Sequence, residues 1–182
     1  RRQGWYDFDD LLTATRDALN DEHRGNELVQ TLRQRYRAAM IDEFQDTDPV
    51  QWDIFRTIFH NTGTGHSLVL IGDPKQAIYG FRGADVFTYL GAREEVLKEG
   101  NREYSLETNF RSTPPLIAAY NEIFSQSAPF FSEPRITYSQ PVKPGFLSRL
   151  TDVDGQDVSP VHLLTPDLSE GVSIPVGEFL PA

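Results

Sequence analysis

Ala39-Met40-Ile41-Asp42-Glu43-Phe44-Gln45-Asp46 is an apolar run that stops on two adjacent carboxylates. Parallel strands deliver acidic groups to a nucleotide site in this way, with apolar residues inside the sheet and the first polar residues at its carboxyl edge. A second run, Leu68-Val69-Leu70-Ile71, ends on Gly72-Asp73-Pro74-Lys75-Gln76. A third, Tyr104-Ser105-Leu106, leads to Asn109-Phe110-Arg111-Ser112. Three strand ends carrying polar groups predict one site at the edge of an α/β sheet, and the paired acids point to metal-assisted chemistry on a nucleotide.

The segments between these runs read as helices. Asp7 is placed to cap a helix with Asp9 and Asp10 in its first turn and Phe8, Leu11, Leu12, Ala18 and Leu19 on one face. Asn26 is expected to cap a second, with Leu28, Val29, Leu32 and Tyr36 inward. Asp48, Pro49 and Gln51 specify a third start: a capping side chain, a proline where no N–H is needed, and an amide that reaches back. Its buried stripe is Val50, Ile54, Phe55, Ile58 and Phe59. The strand at 67–71 is apolar almost throughout, as when helices cover both faces of a parallel sheet. A helix over 84–97 is expected to bury Val86, Phe87, Leu90 and Leu97, followed by a strand at about 103–106. Ser112 or Thr113 then caps a helix that Pro114 starts, with Leu116, Ile117, Tyr120, Ile123 and Phe124 inward. After Phe124 the texture changes, because eight of the twelve prolines lie from Pro129 to Pro181 and only Val161-His162-Leu163-Leu164 reads clearly as a strand. That part is expected to be an extended connection and the opening strand of a further lobe.

A length of 182 residues suits one sizeable domain or two small lobes sharing a cleft, and 38% hydrophobic with 12% aromatic residues supports a packed core. The chain opens on Arg1 and is expected to be a piece of a longer protein. No apolar stretch approaches the roughly 20 residues needed to span a bilayer, and no secretory signal is visible. Without cysteine there is neither a disulfide framework nor a thiolate metal site, and a cytoplasmic setting is the expectation. The net charge of −10, from 27 acidic against 17 basic residues, argues against a protein that coats duplex DNA with a broad basic face. Nucleic-acid contact would be local, through a few arginines and stacked aromatics worth about 1–3 kcal/mol per base.

Asp42-Glu43-Phe44-Gln45-Asp46-Thr47, then Gly72-Asp73-Pro74-Lys75-Gln76-Ala77-Ile78-Tyr79-Gly80-Phe81-Arg82-Gly83-Ala84, then Asn109-Phe110-Arg111-Ser112 resemble, in order and spacing, motifs II, III and IV of the UvrD/Rep-type superfamily I helicases. Tyr6-Asp7-Phe8-Asp9-Asp10-Leu11-Leu12 fits the same family, and the stretch from Gly72 to Leu90 is most similar to its RecB-type (exonuclease V beta) branch. The resemblance covers roughly residues 5–125 and fades in the tail. It implies a RecA-like P-loop NTPase core, a parallel sheet flanked by helices, with residues 1–106 in a first lobe and 107–182 opening a second. It implies an ATP-dependent DNA helicase using ATP and Mg²⁺ on single-stranded DNA and DNA ends. In the whole protein it further implies RecC-like and RecD-like subunits and a role in double-strand-break repair and recombination.

Residue by residue, the resemblance gives Asp42 the Mg²⁺, held through water, and Glu43 the attacking water, which it orients and deprotonates. Gln76 is similar to the glutamine that touches the γ-phosphate. Tyr79 and Phe81 would stack on single-stranded bases, so phosphate sensing and the base platform share one loop. Phe81 stands where the family often has tryptophan, and Phe110 where tyrosine is common; both keep a π-face, Phe110 for adenine. Arg111 is similar to the arginine that reaches the γ-phosphate from the second lobe. Plainer readings stand beside these: solvated acids, core aromatics at Tyr79 and Phe81, a loop-pairing Arg111, and an Arg82 that holds a DNA phosphate or braces its loop. Lys75 is left open. The chain has no Gly-x-x-x-x-Gly-Lys-Ser/Thr phosphate cradle, no later helicase motifs and no nuclease domain, so the piece alone is not expected to hydrolyse ATP. Two rivals remain: a metal-dependent nuclease built on Asp42 with Asp73-Pro74-Lys75, and a non-catalytic scaffold on the helicase fold.

Overall fold

Local capping starts two of the helices where the sequence places them. The computed structural model describes residues 6–60, 65–78, 85–125 and 131–162. Asp7 and Asp10 form a reciprocal capping box at the head of α1 (Phe8–Leu19). Asp48 accepts from the Val50 and Gln51 amides at 2.7 and 2.9 Å while Gln51 accepts from the Asp48 amide at 3.2 Å, opening α3 (Pro49–Phe59). Asp48→Ala orphans two of those donors and is expected to cost about 1 kcal/mol, read as a lower urea midpoint at unchanged slope. α2 (Gly25–Arg35) departs from expectation. Asn26 does not cap it; Arg24 occupies the cap position without a side-chain bond, and Asp21 takes the His23 and Arg24 amides just before the helix.

The chain divides into two compact units, one of residues up to Tyr104 with Phe131–Thr137, the other from Ser105 and from Tyr138 onward. In the first, β1 (Ala38–Ile41) and β2 (Ser67–Leu70) pair in parallel, Ala38 opposite Ser67 and Ile41 opposite Leu70. A parallel pair needs a crossover, and α3 supplies it. Ala39 and Leu68 face Leu19, Val29, Ile58 and Phe59, contributed by α1, α2 and α3. Ile41, Leu68 and Leu70 face a second cluster of Phe44, Trp52 and Ala92, the last from α4 (Val86–Lys98). Arg33 fastens α2 to the end of α3 by donating to the Ile58 and Thr57 carbonyls at 2.7 and 3.0 Å.

Burial along both strands alternates rather than being continuous: Met40 is 72% exposed and Val69 is also exposed. Among the described residues helices cover one face of this pair, so the expectation of cover on both faces is not met there. The α1 stripe is likewise narrower than expected, since Phe8, Leu11 and Ala18 are exposed and Leu19 alone is buried. Leu28, Tyr36 and Phe87 also lie outside the core. In α3 the expected Ile58 and Phe59 are buried, and Trp52, outside the expected stripe, is buried with them.

The strand expected at 103–106 does not form. Tyr104 and Leu106 are exposed, and with no third strand beside β1 and β2 among the described residues the segment has no ladder to join. Arg93 of α4 instead holds Glu103 through a forked ion pair. In the second unit the strand is β3 (Thr108–Asn109), pairing in parallel with β4 (Lys143–Pro144). α5 (Pro114–Phe124) lies between them in sequence, with Thr113 at its cap position and Ile117 buried. Asn121 on α5 donates to the Val142 carbonyl, accepts from the Val142 amide and accepts from the Tyr138 hydroxyl, clasping the segment that becomes β4. Val161 and His162 carry no strand pairing, and Leu163 and Leu164 lie outside the described residues. Among the described residues no helix is long and apolar enough to cross a membrane.

Candidate functional site

Because β1 and β2 are parallel and in register, both chains leave the sheet at the same edge, Asp42 and Glu43 after one strand and Gly72 to Gln76 after the other. Two further main-chain bonds extend the pairing: Ile71 donates to the Ile41 carbonyl and Phe44 to the Ile71 carbonyl, each at 2.8 Å. The chain then turns sharply. Glu43 adopts φ 51° and ψ 41°, and it is the one non-glycine residue with positive φ among those described. Its amide donates to Asp42 Oδ1 at 3.0 Å, and the turn drops Phe44 into the core while both carboxylates stay exposed.

A left-handed non-glycine residue is strained by about 1 kcal/mol or more. Glu43→Gly and Glu43→Ala both delete the carboxylate, but only glycine relieves the backbone. The glycine variant is therefore expected to be the more stable by about 1 kcal/mol in a denaturant titration, the reverse of the usual order.

Gln45, at 2% exposure, joins the two strand exits. Its Nε2 donates to Glu43 Oε2 at 2.7 Å and its Oε1 accepts from the Asp73 amide at 3.0 Å. Gly72 makes this possible, since a Cβ there would sit 2.7 Å from Gln45 Oε1 and 3.1 Å from the Phe44 and Gln45 nitrogens. Asp73 organises the next turn, a single 3₁₀ turn at Pro74–Gln76: Oδ1 accepts from the Lys75 amide at 3.1 Å and pairs with Lys75 Nζ at 2.7 Å, and Oδ2 accepts from Gln76 Nε2 at 3.2 Å. Lys75, left open by the sequence, is thus an internal partner of Asp73.

Burial pushes the Asp73 carboxyl up, but the side-chain bonds from Lys75 and Gln76, the Lys75 amide and the Lys75 charge outweigh it and hold the group below its ordinary value. A depressed carboxyl contributes stability that is present above the unfolded pKa and is lost as pH falls through the folded one. Acid titration of Asp73→Asn is accordingly expected to show a shallower loss of stability below about pH 4 than wild type. On the other flank, burial and then the Glu103 charge push the Tyr89 phenol up, so it stays protonated and its O–H donates to the Gly72 carbonyl at 3.4 Å.

Phe110 and Arg111 belong to the second unit. Asn109 Oδ1 accepts from the Arg111 and Ser112 amides, both at 2.8 Å, and turns the chain out of β3 toward α5. The exposed Arg111 guanidinium makes no ion pair among the described residues. Phe110 is 62% exposed and meets Phe146 edge to face at 5.5 Å; its ring lies so close over Gly145 that any side chain there would run into it. Tyr79, Phe81 and Arg82 lie outside the described residues. The first unit thus brings together Asp42, Glu43 and the Gln76 turn. Gln45, Gly72 and Phe146 are the contributors that the sequence reading had not singled out. Gln45 had one visible signal, an amide inside an otherwise apolar and acidic turn, but its partner lies 28 positions away.

The UvrD/REP helicase N-terminal domain model matches residues 1–96. RecBCD enzyme subunit RecB of Escherichia coli (strain K12) is 43% identical over 179 residues, covering 98% of this chain and 14% of that protein. The proteins of the same description from Haemophilus influenzae and Mycolicibacterium smegmatis are each 47% identical, over 64% of this chain and 9% and 10% of their own lengths. The chain therefore spans about a seventh of the E. coli relative. The matched region contains both strand exits, the strained acidic turn and the glycine that lets them touch, and on that agreement of model and geometry the chain belongs to the UvrD/REP helicase family.

Proposed function

We propose that this chain is the acid-bearing part of the ATP site in a RecB-type DNA helicase. The observation that carries the reading is the meeting of Asp42, Glu43 and the Asp73–Gln76 turn at one edge of two parallel strands, linked through Gln45. The residues fit a nucleotide-bound Mg²⁺. Asp42 offers an exposed carboxylate directly after β1, with the exposed Glu43 carboxylate next in the chain. Mg²⁺ suits such a place, being held by one or two carboxylates with waters and substrate phosphates. When bound, Mg²⁺ with ATP supplies the transferable phosphoryl group and neutralises its charge.

Asp42 is the residue that would hold the ion. Glu43 accepts the proton of the attacking water at Oε1, the oxygen that Gln45 does not engage. Gln76 reads the terminal phosphate from the neighbouring turn; its amide nitrogen carries two N–H donors, and the bond to Asp73 Oδ2 uses one of them. Arg111 supplies charge from a second RecA-like lobe beginning near residue 107, Phe110 stacks on adenine, and Tyr79, Phe81 and Arg82 contact single-stranded DNA. The whole protein acts on DNA ends with RecC-like and RecD-like partners in break repair and recombination.

A nuclease centre on Asp42 and Asp73 is the weaker reading, since both Asp73 oxygens are engaged by Lys75 and Gln76. The test is ATP hydrolysis by the full-length protein with and without single-stranded DNA. DNA-stimulated turnover is expected; its absence overturns the reading.

A further inference from the structure

We propose that Gln45 is a positioning residue: it fixes the Glu43 carboxylate and couples it to the Asp73–Gln76 turn. The inference rests on the ATP-site reading above and names how that site is held. A buried amide left unpaired costs about 1–3 kcal/mol, so one placed at 2% exposure must use its groups. Gln45 uses both ends. One goes to an exposed carboxylate and the other to the main chain of the opposite strand exit, and neither contact fills space that an apolar side chain of similar volume could not fill.

The consequence lies in Glu43. An exposed glutamate has free side-chain torsions, but a 2.7 Å bond from an immobile buried donor to Oε2 removes that freedom and presents Oε1 in a set direction. From there a row of three bonds runs Glu43 to Gln45 at 2.7 Å, Gln45 to the Asp73 amide at 3.0 Å, and Asp73 Oδ2 to Gln76 Nε2 at 3.2 Å. The proton acceptor on one strand exit and the phosphate-reading amide on the other are thereby parts of one polar network. Gly72 holds the row together by having no side chain to push the amide away.

Two variants of the full-length protein separate the ends of the amide. Gln45→Met removes both bonds at similar volume, whereas Gln45→Glu keeps an acceptor for the Asp73 amide and replaces the neutral N–H donor with a buried carboxyl that must share a proton with Glu43, which leaves Glu43 a poorer acceptor. Both are expected to lower kcat by about tenfold to a hundredfold, the scale of a reacting group misplaced by an ångström. KM for ATP and the affinity for a fluorescent ATP analogue stay within about threefold, because the lost contact acts on the reacting geometry rather than on ground-state binding. Hydrogen exchange of the Asp73 amide, measured without nucleotide, speeds up in Gln45→Met and stays slow in Gln45→Glu. Combined with Glu43→Gln, neither variant lowers kcat further, since the residue being positioned is already disabled.

Unchanged kcat in both variants, a parallel loss of affinity and kcat, or full additivity with Glu43→Gln overturns the proposal. If Gln45→Met fails to fold, Gln45→Glu carries the kinetic arm alone. Turnover that does not respond to Glu43→Gln overturns the ATP-site reading itself, whereas turnover that responds to Glu43 and not to Gln45 overturns only the positioning role.

Discussion

Glu43→Gln is expected to lower DNA-stimulated ATP turnover of the full-length protein by about 10²- to 10⁴-fold, the range for loss of a positioned general base. Affinity for ATP stays nearly constant. The variant is almost isosteric, leaves the left-handed backbone at residue 43 unchanged, and its amide oxygen can still accept from Gln45 Nε2. What it removes is the capacity to take a proton at the outward oxygen. Single-turnover hydrolysis with saturating single-stranded DNA separates that step from binding and product release. An unchanged single-turnover rate would remove Glu43 from the proposed chemistry.

Phe44→Ala is expected to have the largest effect on stability, about 3–5 kcal/mol. Phe44 is 1% exposed, meets Trp52 edge to face at 5.5 Å and Tyr89 at 5.9 Å, and packs with Ala92. Truncation would leave a cavity walled by α3 and α4, whose backbones are held apart by their other contacts. Natural domains are stable by about 5–15 kcal/mol, so one such loss consumes much of the margin. Thermal unfolding monitored through the tryptophans checks it. A melt within a degree or two of wild type would mean that the pocket collapses around the missing ring.

Phe44 also explains how the strained turn persists. Its ring sits in the core while its amide is bonded to the Ile71 carbonyl, so the residue directly after Glu43 is fixed by packing and by pairing at once. A left-handed glutamate between the end of β1 and that anchor is the conformation that reconciles both.

How far the sequence could be read followed the range of each interaction. Asp7 with Asp10 and Asp48 with Gln51 were legible because a cap and its partners lie within three residues. The acids after Ile41 were legible because a change from apolar to charged marks where a strand leaves its sheet. Asn26 failed for a competing local reason: Asp21 had already turned the chain, and the helix began before the expected cap. Tyr104-Ser105-Leu106 has strand-like residues, but a strand exists only against a partner. Lys143-Pro144 reads poorly as a strand and becomes one because Asn121, more than twenty residues earlier, clasps the adjoining segment. The roles of Gln45 and Gly72 could not be read for the same cause, since they appear only when two distant strand exits touch.

The parallel register of β1 and β2 carries a consequence for how such sequences diverge. Deleting one residue within Ser67–Leu70 would draw the following turn back by about 3.3 Å and rotate Leu68 and Leu70 toward the open face. Substitution within the strands is therefore more tolerable than any change in their length. Insertions are best absorbed far from the carboxyl edge, in the connection between α3 and β2, where added chain alters neither the level at which the two exits stand nor the span that one buried amide must bridge.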